Sequence, residues 1–243
     1  MPKPESLGPV IMYQRWESLL FLHWEIAAHR IQETLPTGLE VDTYDGKAFL
    51  GIVPFKMRQV RPRFLCSMPL MSNFLELNLR TYVRDRSGRP GVWFYSLDAN
   101  QAIAVWIARK FFSLPYQHAS MQLADQDDGW ILFRSQRTAD AEQFFGYRSC
   151  GDFAPAEDGS LDHFLVERYR LYSFRENSGR LYSGMVSHQP YNISPAEVSD
   201  YSRHLFELNG FEDPGRSPDH VVLADAVDVN IHPLGSVDSK GKR

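Results

Sequence analysis

From Phe74 to Val83 the chain reads Phe-Leu-Glu-Leu-Asn-Leu-Arg-Thr-Tyr-Val, with apolar and polar side chains alternating. The side-chain period of a strand is 2, so Leu75, Leu77, Leu79 and Val83 share one face, while Glu76, Asn78, Arg80 and Tyr82 share the other. That second face either meets water or lines a pocket. The pattern elsewhere predicts more strands than helices. An apolar strand over 18–24 leads into a helix over 27–35 that stops at Pro36. Segments 39–44 and 47–54 flank Asp45-Gly46, a strong hairpin signal, and the proline-punctuated, basic stretch 54–69 reads as a loop. The strand at 74–83 turns through 87–91 into a second strand over 92–97. Ile103, Trp106, Ile107 and Phe111 fall at helical spacing within 99–112. A third hairpin joins 119–123 to 130–137 through Asp127-Asp128-Gly129, and a strand follows over 142–149.

Residues 151–160 read as a loop and 161–167 as a short helix, followed by strands over 169–175 and 181–188 around Asn177-Ser178-Gly179. Ser194, Pro195 and Glu197 match a helix N-terminus, which predicts a helix running to Asn209-Gly210. A last strand covers 221–231. Successive hairpins with few helices imply one mainly antiparallel α+β domain over 12–235, with a flexible segment at 1–11 and a disordered tail at 236–243.

Composition agrees with a β-rich globular chain: 243 residues, 43% hydrophobic and 13% aromatic. No window approaches a membrane span and the N-terminus lacks a signal-peptide apolar core, so a cytoplasmic location is expected. Cys66 and Cys150 are expected to be reduced thiols. The net charge of −4 is uneven, because residues 56–89 carry +6 and the remainder −10. Such a zone attracts a small anion, although solvated surface arginines are its commoner meaning. The acidic balance argues against nucleic acid. Phosphate-cradle, hydrolase-elbow and close metal-ligand motifs are absent, so no cofactor or metal is expected.

Several strings together resemble the YqjF-like family of uncharacterised bacterial proteins. They are Phe21-Leu22-His23-Trp24, Leu35-Pro36-Thr37-Gly38-Leu39, Val53-Pro54-Phe55, the 76–83 strand, Gly91 to Asp98, Ala108-Arg109 before Leu114-Pro115-Tyr116, and Glu167-Arg168-Tyr169 with His188 beyond. The resemblance implies a fold similar to acetoacetate decarboxylase, a closed antiparallel β cone around a central cavity with a few flanking helices. That enzyme forms an imine on a lysine within a Tyr-Pro-Lys-Lys motif. Here the matching string is Leu114-Pro115-Tyr116-Gln117, and a phenol cannot form an imine.

The same resemblance turns the polar face of the 74–83 strand inward and makes Glu76 a cavity carboxylate. Glu76 and Tyr116 are therefore the candidate catalytic residues. Arg80, Asn78, Tyr82, His118, His23 and Arg109 are the candidate ligand-binding residues, with Arg80 suited to gripping a carboxylate. A desolvated Glu76–Arg80 pair satisfied by Asn78 and Tyr82 fits a purely structural network equally well, and a histidine in an apolar strand is more often a core residue than a catalyst. The expected partner is a small anionic molecule, taken either by an enzyme acting on a small organic acid or lactone-like compound or by a binding protein without turnover. Edge pairing leaves a homodimer open.

Overall fold

The computed structural model describes residues 7–64 and 72–237. Expectations that fall on 1–6, 65–71 or 238–243, Cys66 among them, lie outside the described residues; Cys150 is an exposed free thiol. In chain order the elements are β1 (Met12–Glu17), β2 (Leu19–Ile26), α1 (Ala28–Gln32), β3 (Leu39–Val41), β4 (Ala48–Pro62), β5 (Phe74–Asp85), β6 (Pro90–Ala99), α2 (Ala102–Ile107) with a π-helical turn over Ala108–Phe112, and β7 (Tyr116–Asp125). There follow β8 (Ile131–Arg137), β9 (Gln143–Ser149), β10 (Ala154–Pro155), α3 (Leu161–Val166), β11 (Arg170–Arg175), β12 (Arg180–Ser187), β13 (Asn192–Tyr201), α4 (His204–Leu208), β14 (His220–Ala224), β15 (Val227–Ile231) and β16 (Gly235–Ser236). No helix among the described residues is long and apolar enough to cross a membrane.

The strands form one large, mainly antiparallel sheet that closes on itself twice. One ring runs β1-β15-β12-β11-β6-β5-β4 and returns to β1; the other runs β6-β7-β8-β9-β13-β14-β2-β4-β5 and returns to β6. Strands β4, β5 and β6 belong to both. Two pairings are parallel, β6 with β7 and β6 with β11.

Shared strands explain how β5 alternates so strictly and yet is buried on both faces. Leu75, Leu77 and Leu79 pack with Leu50, Ile52, Trp24, Phe133 and Phe145 in the core of the second ring. Glu76, Asn78 and Arg80, one residue out of phase, point into the first ring, whose walls include Val53, Phe55, Met57 and Val186. The choice between water and pocket is thus resolved in favour of a pocket.

Four expectations are corrected. The stretch predicted as a loop from Pro54 is strand through Pro62, paired with β5 and then β1. Pro54 is tolerated because it falls where the outer neighbour of β4 changes from β2, last paired at Ile52, to β1, first paired at Lys56, an interval where that ladder is already interrupted. The helix predicted from Ser194 is strand β13, because Ala196 and Val198 pack against the second core and the backbone pairs with β9 and β14; only α4 near the end of that stretch is helical. Tertiary packing overrides the local capping signal here. The single strand predicted over 221–231 is broken at Asp225, whose carboxylate accepts from the Ala226 N–H at 2.7 Å, turning the chain from one ring to the other. The Asp45-Gly46 turn forms, bridging Tyr44 and Lys47, but β3 then pairs with β5 and not with β4.

Candidate functional site

The first ring encloses a cavity of about 380 Å³. Its walls are mostly apolar, and α2 with the π-helical turn covers one side through Ile103, Ala104, Ile107 and Phe112. Gln101 caps α2, its Oε1 accepting from the Ile103 N–H at 2.7 Å. Among the described lining residues the charged side chains are Glu76, Arg80, Arg168 and Arg170.

Glu76 is 2% exposed. Tyr116 donates to its Oε2 at 2.6 Å, and Asn78 Nδ2 lies 3.4 Å from its Oε1. Burial outweighs these two hydrogen bonds, and with Asp98 nearby the carboxyl is pushed from 4.5 up to about 7, so both protonation states are populated near neutral pH. Burial and the neighbouring Glu76 raise the Tyr116 phenol well above its ordinary range. Tyr116 itself is placed by the backbone after the π-helical turn, where Arg109 Nε donates to the Tyr116 carbonyl at 2.5 Å and Arg109 Nη2 donates to Gln117 Oε1 at 2.8 Å.

Arg80 makes no ion pair with Glu76. Its Nη2 donates to Tyr82 Oη and to the Leu165 carbonyl, each at 3.2 Å, while its Nε is buried without a hydrogen-bond partner among the described residues. Arg168 donates to Asp42 at 2.8 Å, so its charge is matched. Arg170 donates to Ser183 Oγ at 3.1 Å.

Behind Arg80 lies a polar chain. Tyr82 Oη is 2.6 Å from His23 Nε2, His23 Nδ1 is 2.9 Å from His220 Nδ1, and His220 Nε2 is 2.9 Å from Asp162. Burial, with His220 and Arg80 adding like charge, drives the His23 imidazole well below its usual range and keeps it neutral. Gly51 makes room for this ring, since a Cβ there would stand 2.8 Å from His23 Cδ2 and 2.9 Å from its Nε2. Gly51→Ala is expected to displace His23 and cost about 1–3 kcal/mol, read as a lowered urea midpoint at unchanged slope.

Of the candidates, Glu76, Asn78, Arg80 and Tyr116 come together on the cavity wall. Tyr82 and His23 do not line it and instead support Arg80 from behind. His118 is exposed: Ala119 and Met121 pack inward, which gives His118 the outward parity of Ser120. Arg109 is also outside, as a brace for the Tyr116 segment. Arg170 escaped attention in the sequence, and the Arg168-Tyr169-Arg170 spacing, which places two guanidinium groups on one side of an extended chain, is the signal that marks it. No lysine lines the cavity among the described residues, and Lys110 lies outside over the Trp106 ring at 4.7 Å. Among the described residues no group of three or more His, Cys, Asp or Glu side chains is placed to hold a metal ion.

A sheet closed around a cavity of this kind defines a protein with the acetoacetate decarboxylase-like fold. The acetoacetate decarboxylase of Legionella pneumophila is similar with a TM-score of 0.64 and 13% identity, covering 97% of this chain and 91% of that one. The enduracididine biosynthesis enzyme MppR, solved in complex with pyruvate, is similar with a TM-score of 0.62 and 15% identity, covering 97% and 94%. Within that fold the chain belongs to the DUF2071 family, described as an uncharacterized conserved protein, which matches residues 13–228. The uncharacterized protein YqjF of Bacillus subtilis (strain 168) is 39% identical over 213 residues, 87% of this chain and 86% of that protein.

Proposed function

We propose that this protein takes a small organic acid into the cavity and that Glu76 exchanges a proton with it. The observation that carries this reading is a buried carboxyl group with a pKa of about 7 on the wall of a largely apolar cavity that also holds Arg80, the poise that general acid–base work requires. Tyr116 holds one carboxyl oxygen, leaving Oε1, with only a long contact to Asn78, as the oxygen that gives or takes the proton. A carbon acid next to a carbonyl is the fitting target: the C–H bond breaks, its proton passes to Glu76, and the reverse step returns it. Imine chemistry is outside this reading, since no described residue lines the cavity with an amine.

A binding protein without turnover is the second reading, favoured by the hydrogen bonds that both oxygens of Glu76 already accept. Thermal-shift measurements with small carboxylic and oxo acids, followed by proton NMR of deuterium uptake from D2O, separate the two. Expected are stabilisation by at least one acid, its loss in Arg80→Ala, and deuterium uptake slowed by roughly 100-fold or more in Glu76→Gln. Binding that survives in Glu76→Gln with no exchange in either protein selects the second reading. No stabilisation by any acid overturns both. Anion affinity is also expected to fall as pH rises through about 7, because ionised Glu76 repels the ligand.

A further inference from the structure

The cavity has two chemically different ends, and their separation sets the shape of what fits. Glu76, Asn78 and Arg80 follow one another at every second position of β5, which places the first and last roughly 13 Å apart at ~3.3 Å per residue. The Glu76 end is built by Tyr116 and by the β6 residue Ala99, which pairs with Glu76. The Arg80 end lies opposite Phe94, close to where β11 joins β6 at Val92.

The Arg80 end holds an unmet demand. Arg80 Nε is buried and undonated, and no carboxylate lies within ion-pair distance of Arg80 among the described residues. Between the ends the wall on either side of Asn78 is apolar, formed by its paired residues Val53 and Leu97. An acid whose reacting group sits beside its carboxylate reaches Arg80 or Glu76 but not both.

Resting on the reading above, we infer that the ligand is a two-ended acid, with its carboxylate at Arg80, an oxo or hydroxyl group at Glu76, and an apolar spacer passing Asn78. Allowing ~3 Å for a hydrogen bond at each end leaves about 7 Å of ligand, or about four to six bonds between the two carbons concerned.

Isothermal titration at pH 6.5 with methyl-ketone acids from pyruvate through 4-oxopentanoate, 5-oxohexanoate and 6-oxoheptanoate to 7-oxooctanoate tests this, each compared with the plain carboxylate of equal length. That comparison cancels the gain from added methylenes. The advantage of the oxo acid is expected to exceed about tenfold at spacers of four to six bonds and to vanish for pyruvate against propanoate. Arg80→Gln, checked for an unchanged melting temperature, is expected to weaken every acid alike, since the length optimum belongs to the Glu76 end. An advantage that peaks at pyruvate, or is equal at every length, overturns the two-ended ligand and leaves proton exchange on a small acid standing. Failure of every acid to bind overturns that broader reading as well.

Discussion

Replacing Arg137 with methionine is expected to lower the melting temperature by roughly 6–15 °C. Asp98, on β6, has a side chain with no exposure, and Arg137, closing β8, holds it with two hydrogen bonds of 2.8 and 2.9 Å. Burial already raises the Asp98 carboxyl, with Arg137 pulling the other way. Without the guanidinium the carboxylate is left buried and uncompensated, and breaking such a pair by removing one partner costs about 3–5 kcal/mol. The folded Asp98 carboxyl then binds its proton more tightly than the unfolded one, so the loss grows as pH rises from 5 to 8. Differential scanning fluorimetry at both pH values reads this directly. The double variant Arg137→Met with Asp98→Asn is expected to recover most of the stability, and equal losses in the single and double variants would refute the account.

Glu76→Gln is expected to make the protein more stable than the wild type at alkaline pH. The folded carboxyl group titrates at about 7 against an ordinary 4.5, so the native state holds its proton more tightly than the unfolded chain. Stability from this group is therefore complete below about pH 4.5 and is lost as pH rises through about 7, a total of about 3 kcal/mol at most. A glutamine is neutral throughout and its oxygen can still accept from Tyr116. The melting temperature of the variant relative to wild type should thus climb by about 6–10 °C between pH 4.5 and pH 8.5. Parallel curves across that range would show that Glu76 titrates normally.

The alternation of 74–83 exposed β5 and its site residues in the sequence because a period of 2 depends on nothing but strand geometry. What the other face meets depends on long-range closure, and no local pattern carries it. The YqjF-like resemblance implied the cavity and named Glu76 and Tyr116 as its candidates; that these two, 40 positions apart, touch at 2.6 Å comes from the fold alone. The same reasoning placed His118 and Arg109 in the cavity, but β7 takes its parity from Ala119 and Met121, and Arg109 turns back on its own backbone. His23 is legible as a polar residue in an apolar strand and Tyr82 as part of the polar face of β5, yet their role as supports of Arg80 depends on His220 and Asp162, which come from distant parts of the chain. At Ser194 the capping signal was sound locally and lost to pairing with β9 and β14.

Strands β4, β5 and β6 serve both rings, and this couples two properties that protein engineers prefer to vary separately. Lengthening β5 by a single residue would exchange its faces, sending Glu76 and Arg80 into the oil of Leu20, Phe133 and Phe145 while Leu77 and Leu79 blocked the cavity. A one-residue insertion in β5 that is not absorbed as a bulge, as β6 absorbs one opposite Leu79 and Arg80, therefore disrupts core and cavity together. Ligand preference has to be retuned by substitution at even-numbered positions of β5 and at the facing residues of β4 and β6, and the odd-numbered positions form the separate set through which thermal stability can be adjusted.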